Sequence, residues 1–167
     1  MRQLLAPSIA LVTVVIVDQV TKLWAISTLS EQPVRQVLGN FFMLSLVYNE
    51  GGAMGSNFGS PAYYLATSIL ILLFILYYIY THRTSLMLTL PLALIAGGAI
   101  GNIIDRLRFG KVVDFLDFDF FDINLFGYQI DRWWTFNIAD AVISCSIIFL
   151  LVRLIFFHQQ KPAGSAQ

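Results

Sequence analysis

The sequence predicts an all-α membrane protein, a bundle of four transmembrane helices with a small, partly β cap on one face. Three observations lead to this fold class. Hydrophobic residues make up 57% of the 167 residues, above the roughly 45–50% of typical soluble domains. Charged residues make up only 12%, against the usual fraction of roughly 25%. The apolar residues collect in four long segments, each about long enough to cross a bilayer.

Composition also narrows the possible partners and chemistry. Ten basic and ten acidic residues cancel to a formal net charge of zero. We expect no nucleic-acid partner, because no excess of positive charge is present to bind phosphates. The single cysteine, Cys145, excludes an internal disulfide and any redox mechanism that needs a cysteine pair within the chain. The length suits one integral membrane domain over residues 1–167.

Four segments are predicted to span the membrane, since about 20 mostly apolar residues cross roughly 30 Å of hydrocarbon. Segments 62–80 and 86–104 contain no charged residue. The first segment, 4–26, is apolar as far as Val17 and then contains Asp18, Gln19 and Lys22. The fourth segment, 137–157, carries one charge near each end.

The first segment also has some features of a cleaved signal peptide. Arg2 gives a minimal basic start, and Ala25 and Ser27 form a weak small-x-small site. Asp18 and Lys22 follow the apolar run directly, however, and an acid and a base make a poor cleavage region. A transmembrane helix is therefore the preferred interpretation.

The two long connections, 30–61 and 107–136, are predicted to form the cap. With four spans, both connections lie on the same side of the membrane. Residues 41–48 form an apolar run that is too short to span and is typical of a strand. Residues 113–121 place aspartates between aromatic residues, the period-two pattern of a strand with one face in water. The tail from about residue 159 is expected to be flexible.

The aspartates of the second connection fall into two kinds. Asp117, Asp119 and Asp122 are predicted to be ordinary solvated charges. Asp114 lies in the sequence VVDFL, and such apolar neighbours are unusual for a solvated charge. Basic residues are distributed too evenly between the two faces for the positive-inside rule to determine the orientation.

Ionisable residues inside the spans are costly, so each is a candidate for function. At about 1.5 Å per residue, Asp18 lies roughly 21 Å and Lys22 roughly 27 Å along the first helix, both toward the cap. The third helix runs in the same direction, and the fourth helix begins at the cap. Three helices thus bring polar side chains to one shallow layer, namely Asp18, Lys22, Asn102, Asp105, Arg106, Asn137 and Asp140.

Several of these residues also have a structural interpretation. Asp18 and Lys22 are four residues apart, so they can pair and neutralise each other. Asn137 is suited to cap the fourth helix, and Asp140 is favoured in its first turn by the helix dipole. Asp105 lies near the C-terminal end of the third helix, where an acid is unfavourable and needs a partner.

The residue types of the polar layer favour carboxylate chemistry. The only histidines, His82 and His158, are predicted on the opposite face, and no Gly-x-Ser-x-Gly motif is present. A zinc site would need histidine or cysteine ligands that the layer lacks. Two aspartates brought close share a proton, so that one activates water while the other protonates the leaving group. The layer is therefore suited to aspartic-protease chemistry.

Five motifs, in order along most of the chain, resemble those of the signal peptidase II family of bacterial membrane aspartyl proteases. They are residues 18–22 (DQVTK), 49–54 (NEGGAM), 97–106 (GGAIGNIIDR), 112–115 (VVDF) and 136–140 (FNIAD). Gly52 and Met54 depart from the family pattern, which affects the expected local shape of the substrate groove but not the chemistry.

The resemblance implies a specific site. The family's catalytic dyad falls on Asp114 and Asp140. The substrate-binding positions fall on Asn49, Gly51, Asn102, Arg106 and Asn137, and those that support the site fall on Asp18, Lys22 and Asp105. Our hypothesis is that the asparagines and the arginine position the substrate backbone and the dyad, while the Asp18–Lys22 pair braces the first helix.

The resemblance also implies the substrate and the location. The family cleaves the signal peptide of prolipoproteins just before a cysteine that carries diacylglycerol. It resides in the bacterial inner membrane, with both termini cytoplasmic and the site toward the periplasm. It needs no metal or cofactor, contacts membrane lipid and is inhibited by the cyclic peptide globomycin.

Two functions of other classes are alternatives to the peptidase. In a small proton-coupled transporter, Asp18, Lys22 and Asp140 would form the binding site, but such sites usually lie near the midplane within an internal repeat. Here the polar groups are shallow and no repeat is visible. A membrane scaffold would leave the buried carboxylates without a purpose.

Overall fold

Four long apolar helices form the body of the protein. The computed structural model describes residues 2–52, 59–82, 85–120, 123–125, 128–130 and 132–157. Within these residues, four helices are long and apolar enough to cross a membrane, and they are α1 (Arg2–Leu29), α2 (Pro61–Thr81), α3 (Leu86–Phe109) and α4 (Ile138–Phe157). Each contains or closely overlaps a predicted span, so the four-helix prediction is confirmed. The structure extends α1 and α3 a few residues beyond the predicted ends, toward the cap.

Local chemistry determines where the helices begin and end. Ser60 caps α2 with its hydroxyl oxygen, which accepts a hydrogen bond from the Tyr63 amide at 3.3 Å. Gly110 ends α3 in a left-handed conformation with φ 71°, which glycine adopts without a steric penalty. Asn137 precedes α4, and its side-chain oxygen accepts from the Asp140 amide at 2.9 Å. The predicted capping role of Asn137 is thereby confirmed.

The central helix of the bundle is α3, which packs against the three other helices. Its glycines permit this close approach. A Cβ atom on Gly97 would lie 2.7 Å from the Leu11 carbonyl oxygen of α1, and one on Gly98 would lie 2.9 Å from the Ala139 carbonyl oxygen of α4. Small residues at such contacts are characteristic of packing within membranes.

Apolar side chains cover the outer surface of the bundle. Leu70, Phe74 and Phe156 are 69%, 67% and 71% exposed. Such exposure in water would be costly, but hydrocarbon is a favourable environment for these side chains. We infer that this surface faces lipid.

The cap is a small antiparallel sheet built from both long connections. Its strands β1 (Val34–Leu38), β2 (Phe42–Asn49) and β3 (Val112–Phe118) are arranged in the order β1-β2-β3. Because β2 belongs to the first connection and β3 to the second, the prediction that both lie on one face is confirmed. The hairpin of β4 (Ile123–Leu125) and β5 (Tyr128–Ile130) and the strand β1 were not predicted.

Two predictions about the cap are wrong, that Asp117 is an ordinary solvated charge and that the strand carrying it has one face in water. Asp117 is only 6% exposed, because its carboxylate accepts from Ser45 Oγ at 2.7 Å and pairs with the Arg132 guanidinium. Asp119, also paired with Arg132 at 3.3 Å, is partly exposed. Strand β3 is buried along most of its length instead of presenting a wet face. Asp122, His158 and the tail predicted to be flexible lie outside the described residues.

Candidate active site

Two asparagine side chains join Asp114 to Asp140. Asp114 lies on β3 and is 1% exposed, and Asp140 lies in the first turn of α4. Asn137 Nδ2 donates to Asp114 Oδ1 at 2.7 Å and to Asn102 Oδ1 at 3.2 Å. Asn102 Nδ2 in turn donates to Asp140 Oδ1 at 2.8 Å. The two aspartates predicted to form the dyad therefore belong to one hydrogen-bond network.

The turn that follows β2 contacts the same aspartate. Asn49 Nδ2 donates to Asp114 Oδ2 at 3.1 Å and to the Gly52 carbonyl oxygen at 3.3 Å. The Gly51 amide donates to Asn49 Oδ1 at 2.9 Å, and Arg106 Nη2 donates to the Gly51 carbonyl oxygen at 3.1 Å. This segment is thus attached to both the cap and α3. Gly52, one of the two departures from the family pattern, contributes only its backbone here, and Met54 lies outside the described residues.

A buried lysine lies at the base of the network. Lys22 is 2% exposed, and its ammonium nitrogen lies 2.9 Å from Asp18 Oδ2 and 2.8 Å from Asp105 Oδ2. It also donates to Asn102 Oδ1 at 2.8 Å. The predicted pairing of Asp18 with Lys22 is confirmed, and Asp105 has the partner that its position requires.

The carboxylates beside Lys22 also hold backbone amides of other elements. Asp18 Oδ1 accepts from the Ala139 amide of α4 at 3.0 Å, and Asp105 Oδ2 accepts from the Val113 amide of β3 at 3.0 Å. Each of these amides belongs to the residue that immediately precedes a dyad aspartate in the chain. The buried charges on α1 and α3 therefore position the backbone that carries Asp114 and Asp140.

One residue of this network was not predicted as part of the site. Gln19 Nε2 donates to Asp105 Oδ1 at 3.0 Å, to the Gly101 carbonyl oxygen at 3.1 Å and to Asp18 Oδ2 at 3.3 Å. Its side chain therefore links α1 to α3. The available signal was a glutamine inside an apolar span, where an amide needs partners as much as a charge does.

Burial and charge change the acidity of the cap residues. Burial, followed by the nearby charge of Asp140, raises the pKa of Asp114 to about 7. The hydrogen bonds from Asn49 and Asn137 act in the opposite direction. On the exposed surface, the ion pair with Lys111 lowers the pKa of Glu50. Asp114 is thus able to exchange a proton near neutral pH, as a group in acid–base catalysis requires.

Two cavities meet at Asp114. The larger, of about 950 Å³, lies between α2, α3 and α4 and includes Asn102, Arg106 and Asp140 in its lining. We call it the membrane cavity. The smaller, of about 460 Å³, lies on the cap, and we call it the cap cavity. Both are lined by Asn49, Asp114, Trp133, Trp134 and Thr135.

The structure brings together the ten residues that the sequence predicted for the site. They are Asp18, Lys22, Asn49, Gly51, Asn102, Asp105, Arg106, Asp114, Asn137 and Asp140. Among the described residues, no group of three or more histidine, cysteine, aspartate or glutamate side chains is arranged to hold a metal ion.

Comparison with known proteins identifies the family. A family model described as signal peptidase (SPase) II matches residues 10–156. The chain belongs to the signal peptidase II family. The lipoprotein signal peptidase of Pelodictyon phaeoclathratiforme is 37% identical over 155 residues, which cover 91% of this chain and 89% of the relative. The lipoprotein signal peptidase of Chlorobaculum parvum is 38% identical over 148 residues, which cover 87% of this chain and 90% of that relative.

The chain is also similar in fold to a solved structure. It is similar to a bacterial membrane enzyme structure obtained by the in meso method at 2.3 Å resolution, with a TM-score of 0.77 and 30% identity. The match covers 96% of this chain and 94% of that chain. The predicted family, the enzyme class and the multi-pass membrane architecture are thereby confirmed.

Proposed function

We propose that this signal peptidase II is an aspartyl endopeptidase that removes the signal peptide from diacylglyceryl-modified prolipoproteins. The observation that carries the proposal is the network joining Asp114 and Asp140 through Asn137 and Asn102 at the edge of an apolar cavity. Relatives named lipoprotein signal peptidase support the substrate class. The scissile bond is the peptide bond on the N-terminal side of the lipidated cysteine.

Asp114 and Asp140 share one proton in the resting site, because two carboxylates close together, one of them the buried Asp114, do not both ionise cheaply. The ionised aspartate removes a proton from water, and the water oxygen attacks the carbonyl carbon of the scissile bond. The protonated aspartate then donates its proton toward the leaving group. When the C–N bond breaks, the signal peptide gains a carboxylate and the cysteine gains a free amine.

The polar residues around the dyad position both reactants. Asn102 and Asn137 orient the carboxylates of Asp140 and Asp114. Asn49, Gly51 and Arg106 line the approach to the scissile bond and provide amide and guanidinium groups near its backbone. The buried charges of Asp18, Lys22 and Asp105 on α1 and α3 hold in place the backbone that carries the dyad.

The chain itself supplies both proton-transfer groups. We assign the site to the periplasmic side of the bacterial inner membrane, with both termini cytoplasmic. The substrate is itself held in the membrane by its signal segment and its diacylglycerol. Membrane lipid is therefore a second partner, and a globomycin-type cyclic peptide is the inhibitor that this site would accept.

The proposal is tested with purified protein in detergent and a synthetic diacylglyceryl prolipoprotein. Mass spectrometry of the products locates the cleaved bond. We expect cleavage only before the lipidated cysteine, inhibition by globomycin and no cleavage of the same peptide without its diacylglycerol. Cleavage elsewhere, or equal cleavage of the unlipidated peptide, would contradict the proposal. Substrate uptake into vesicles driven by a pH gradient, without cleavage, would instead favour a transporter.

A further inference from the structure

The two cavities that meet at Asp114 differ in their surroundings. The membrane cavity is lined by apolar residues of transmembrane helices, among them Ile71, Ile95 and Ile148. The cap cavity is lined by residues of β2, β3 and the segment before α4, all outside the spans. Its volume of about 460 Å³ lies within the range of sites that bind small ligands, about 300–1,000 Å³.

The substrate has parts that fit these two environments differently. The signal segment and the diacyl chains are apolar, so both are compatible with the membrane cavity and the surrounding lipid. The mature polypeptide, which continues from the lipidated cysteine, must leave toward water because its backbone cannot be satisfied in hydrocarbon. A chain whose scissile bond lies at Asp114 therefore leaves the dyad on the cap side.

We propose that the cap cavity binds the first residues of the mature lipoprotein after the lipidated cysteine and that Glu50 sets its charge preference. This inference rests on the proposed peptidase function. The cavity follows the end of β2, where Val47 and Tyr48 are 41% and 45% exposed and line it. Those side chains offer a surface for a short extended peptide next to Asp114.

Arg132 in the wall of the cap cavity offers a hydrogen-bond donor to that peptide. Its guanidinium pairs with Asp117 and Asp119. Its Nη2 is nevertheless buried without a hydrogen-bond partner among the described residues. Buried donors are nearly always satisfied in proteins. The Arg132 side chain is 27% exposed at the cavity wall, so a rotation of its guanidinium on binding would let Nη2 donate to a backbone carbonyl oxygen of the mature segment.

The charges of the cap cavity give it a selectivity that can be altered. Two acids offset the charge of Arg132. Glu50 lies on the cavity wall, where it is 58% exposed and pairs with Lys111 at 2.6 Å. A Glu50→Lys substitution therefore changes the local charge by two and adds no bulk to a buried site. The substitution should lower kcat/KM for substrates with a positively charged mature segment and raise it for those with a negatively charged one.

The test compares four synthetic diacylglyceryl substrates with the same signal segment and lipidated cysteine. One ends at the cysteine amide, and the others carry neutral, lysine or aspartate residues at the second and third mature positions. We expect kcat/KM for the truncated substrate to be about tenfold lower, because that substrate cannot make one or two of the hydrogen bonds in the cap cavity. At low ionic strength, Glu50→Lys lowers the lysine-to-aspartate ratio of kcat/KM by about threefold or more. Glu31→Lys, the same change at an exposed residue between α1 and β1, keeps the wild-type ratio.

Each outcome has a distinct meaning. Equal kcat/KM for the truncated and full-length substrates overturns the inference but leaves the peptidase function intact, and so does an unchanged ratio in Glu50→Lys. A wild-type protein that cleaves none of the four substrates overturns both.

Discussion

The Lys22 ammonium nitrogen lies 2.8 Å from Asn102 Oδ1, and this contact determines which way the Asn102 amide faces. An ammonium group only donates hydrogen bonds, so the amide oxygen must point toward it. The amide nitrogen is then directed at Asp140 Oδ1, 2.8 Å away. A charge on α1 thereby orients a hydrogen-bond donor on α3 toward a dyad aspartate on α4.

Replacement of Lys22 by methionine tests how much this lysine stabilises the fold. The substitution leaves Asp18 and Asp105 buried without their cation, and breaking a buried ion pair in this way costs about 3–5 kcal/mol. We expect a large drop in the melting temperature of the protein in detergent. Lys111→Met, which removes a lysine from an exposed ion pair, should change it little. Similar melting temperatures for the two variants would contradict this role.

Gly101 packs directly against the same charge cluster. A Cβ atom on Gly101 would overlap Asp18 Oδ2, so Gly101→Ala must displace the carboxylate that holds Lys22 and the Ala139 amide. We expect a destabilisation of about 1–3 kcal/mol, typical of overpacking, together with reduced activity. Thermal unfolding measures the first effect. Ala66→Val, which adds volume at an exposed position of α2, is the control, and equal stability of both variants would contradict the prediction.

The pH dependence of cleavage should report on Asp114. Its pKa is raised from 3.8 to about 7 by burial and by the charge of Asp140, so Asp114 holds the shared proton and the alkaline limb of the kcat/KM profile should lie near neutral pH. The Asn49 hydrogen bond lowers this pKa. Asn49→Ala should therefore move the limb to higher pH. Gln36→Ala, which removes an exposed amide of β1, should leave the limb in place, and a wild-type alkaline limb far from neutral pH would be inconsistent with this assignment.

The same shift makes a prediction about stability. Between about pH 4 and pH 7 the folded protein retains the Asp114 proton while the unfolded chain has lost it. The free energy of unfolding contributed by this group therefore falls as the pH rises through that window. Melting temperatures measured from pH 4 to pH 8 should show this decline in the wild type and a weaker one in Asp114→Asn. Identical slopes would show that other groups cause the decline.

Asp117 and Asp119 both contact Arg132, but their burial differs. Asp117 also accepts from Ser45 and is 6% exposed, whereas Asp119 is partly exposed. Asp117→Ala leaves the buried Ser45 hydroxyl without its acceptor, at a cost of about 1–3 kcal/mol, and it also removes one of the two carboxylates that pair with Arg132. We expect a clear loss of thermal stability for this variant and a small one for Asp119→Ala. The reverse order would contradict the buried pairing.

The sequence alone was sufficient to predict the four helices and the layer of polar residues near the cap. Span length is set by the bilayer, and an ionisable residue inside a span needs a partner or a function. Asp18, Lys22 and Asp140 were therefore conspicuous. The family resemblance then supplied the pairing of Asp140 with Asp114, which lies on a strand outside the spans.

The cap was harder to predict, because its partners are distant in the chain. Arg132 lies 15 residues beyond Asp117, and no local pattern relates them. Strand β1 and the β4–β5 hairpin are too short for alternation to identify them. Gln19 was not predicted because its partners on α3, Gly101 and Asp105, lie 82 and 86 residues away in the chain, and no local pattern relates them.

The most direct test of the dyad is the cleavage rate of Asp114→Asn and Asp140→Asn measured beside a matched carboxylate control. Each variant is purified in detergent, its accumulation and melting temperature are recorded, and its rate on a diacylglyceryl prolipoprotein is compared with that of Glu31→Gln, which removes an exposed carboxylate. We predict that both aspartate variants accumulate as folded protein and lose cleavage altogether, while Glu31→Gln keeps the wild-type rate. Normal cleavage by either Asp114→Asn or Asp140→Asn would contradict the assignment of these two residues as the catalytic pair.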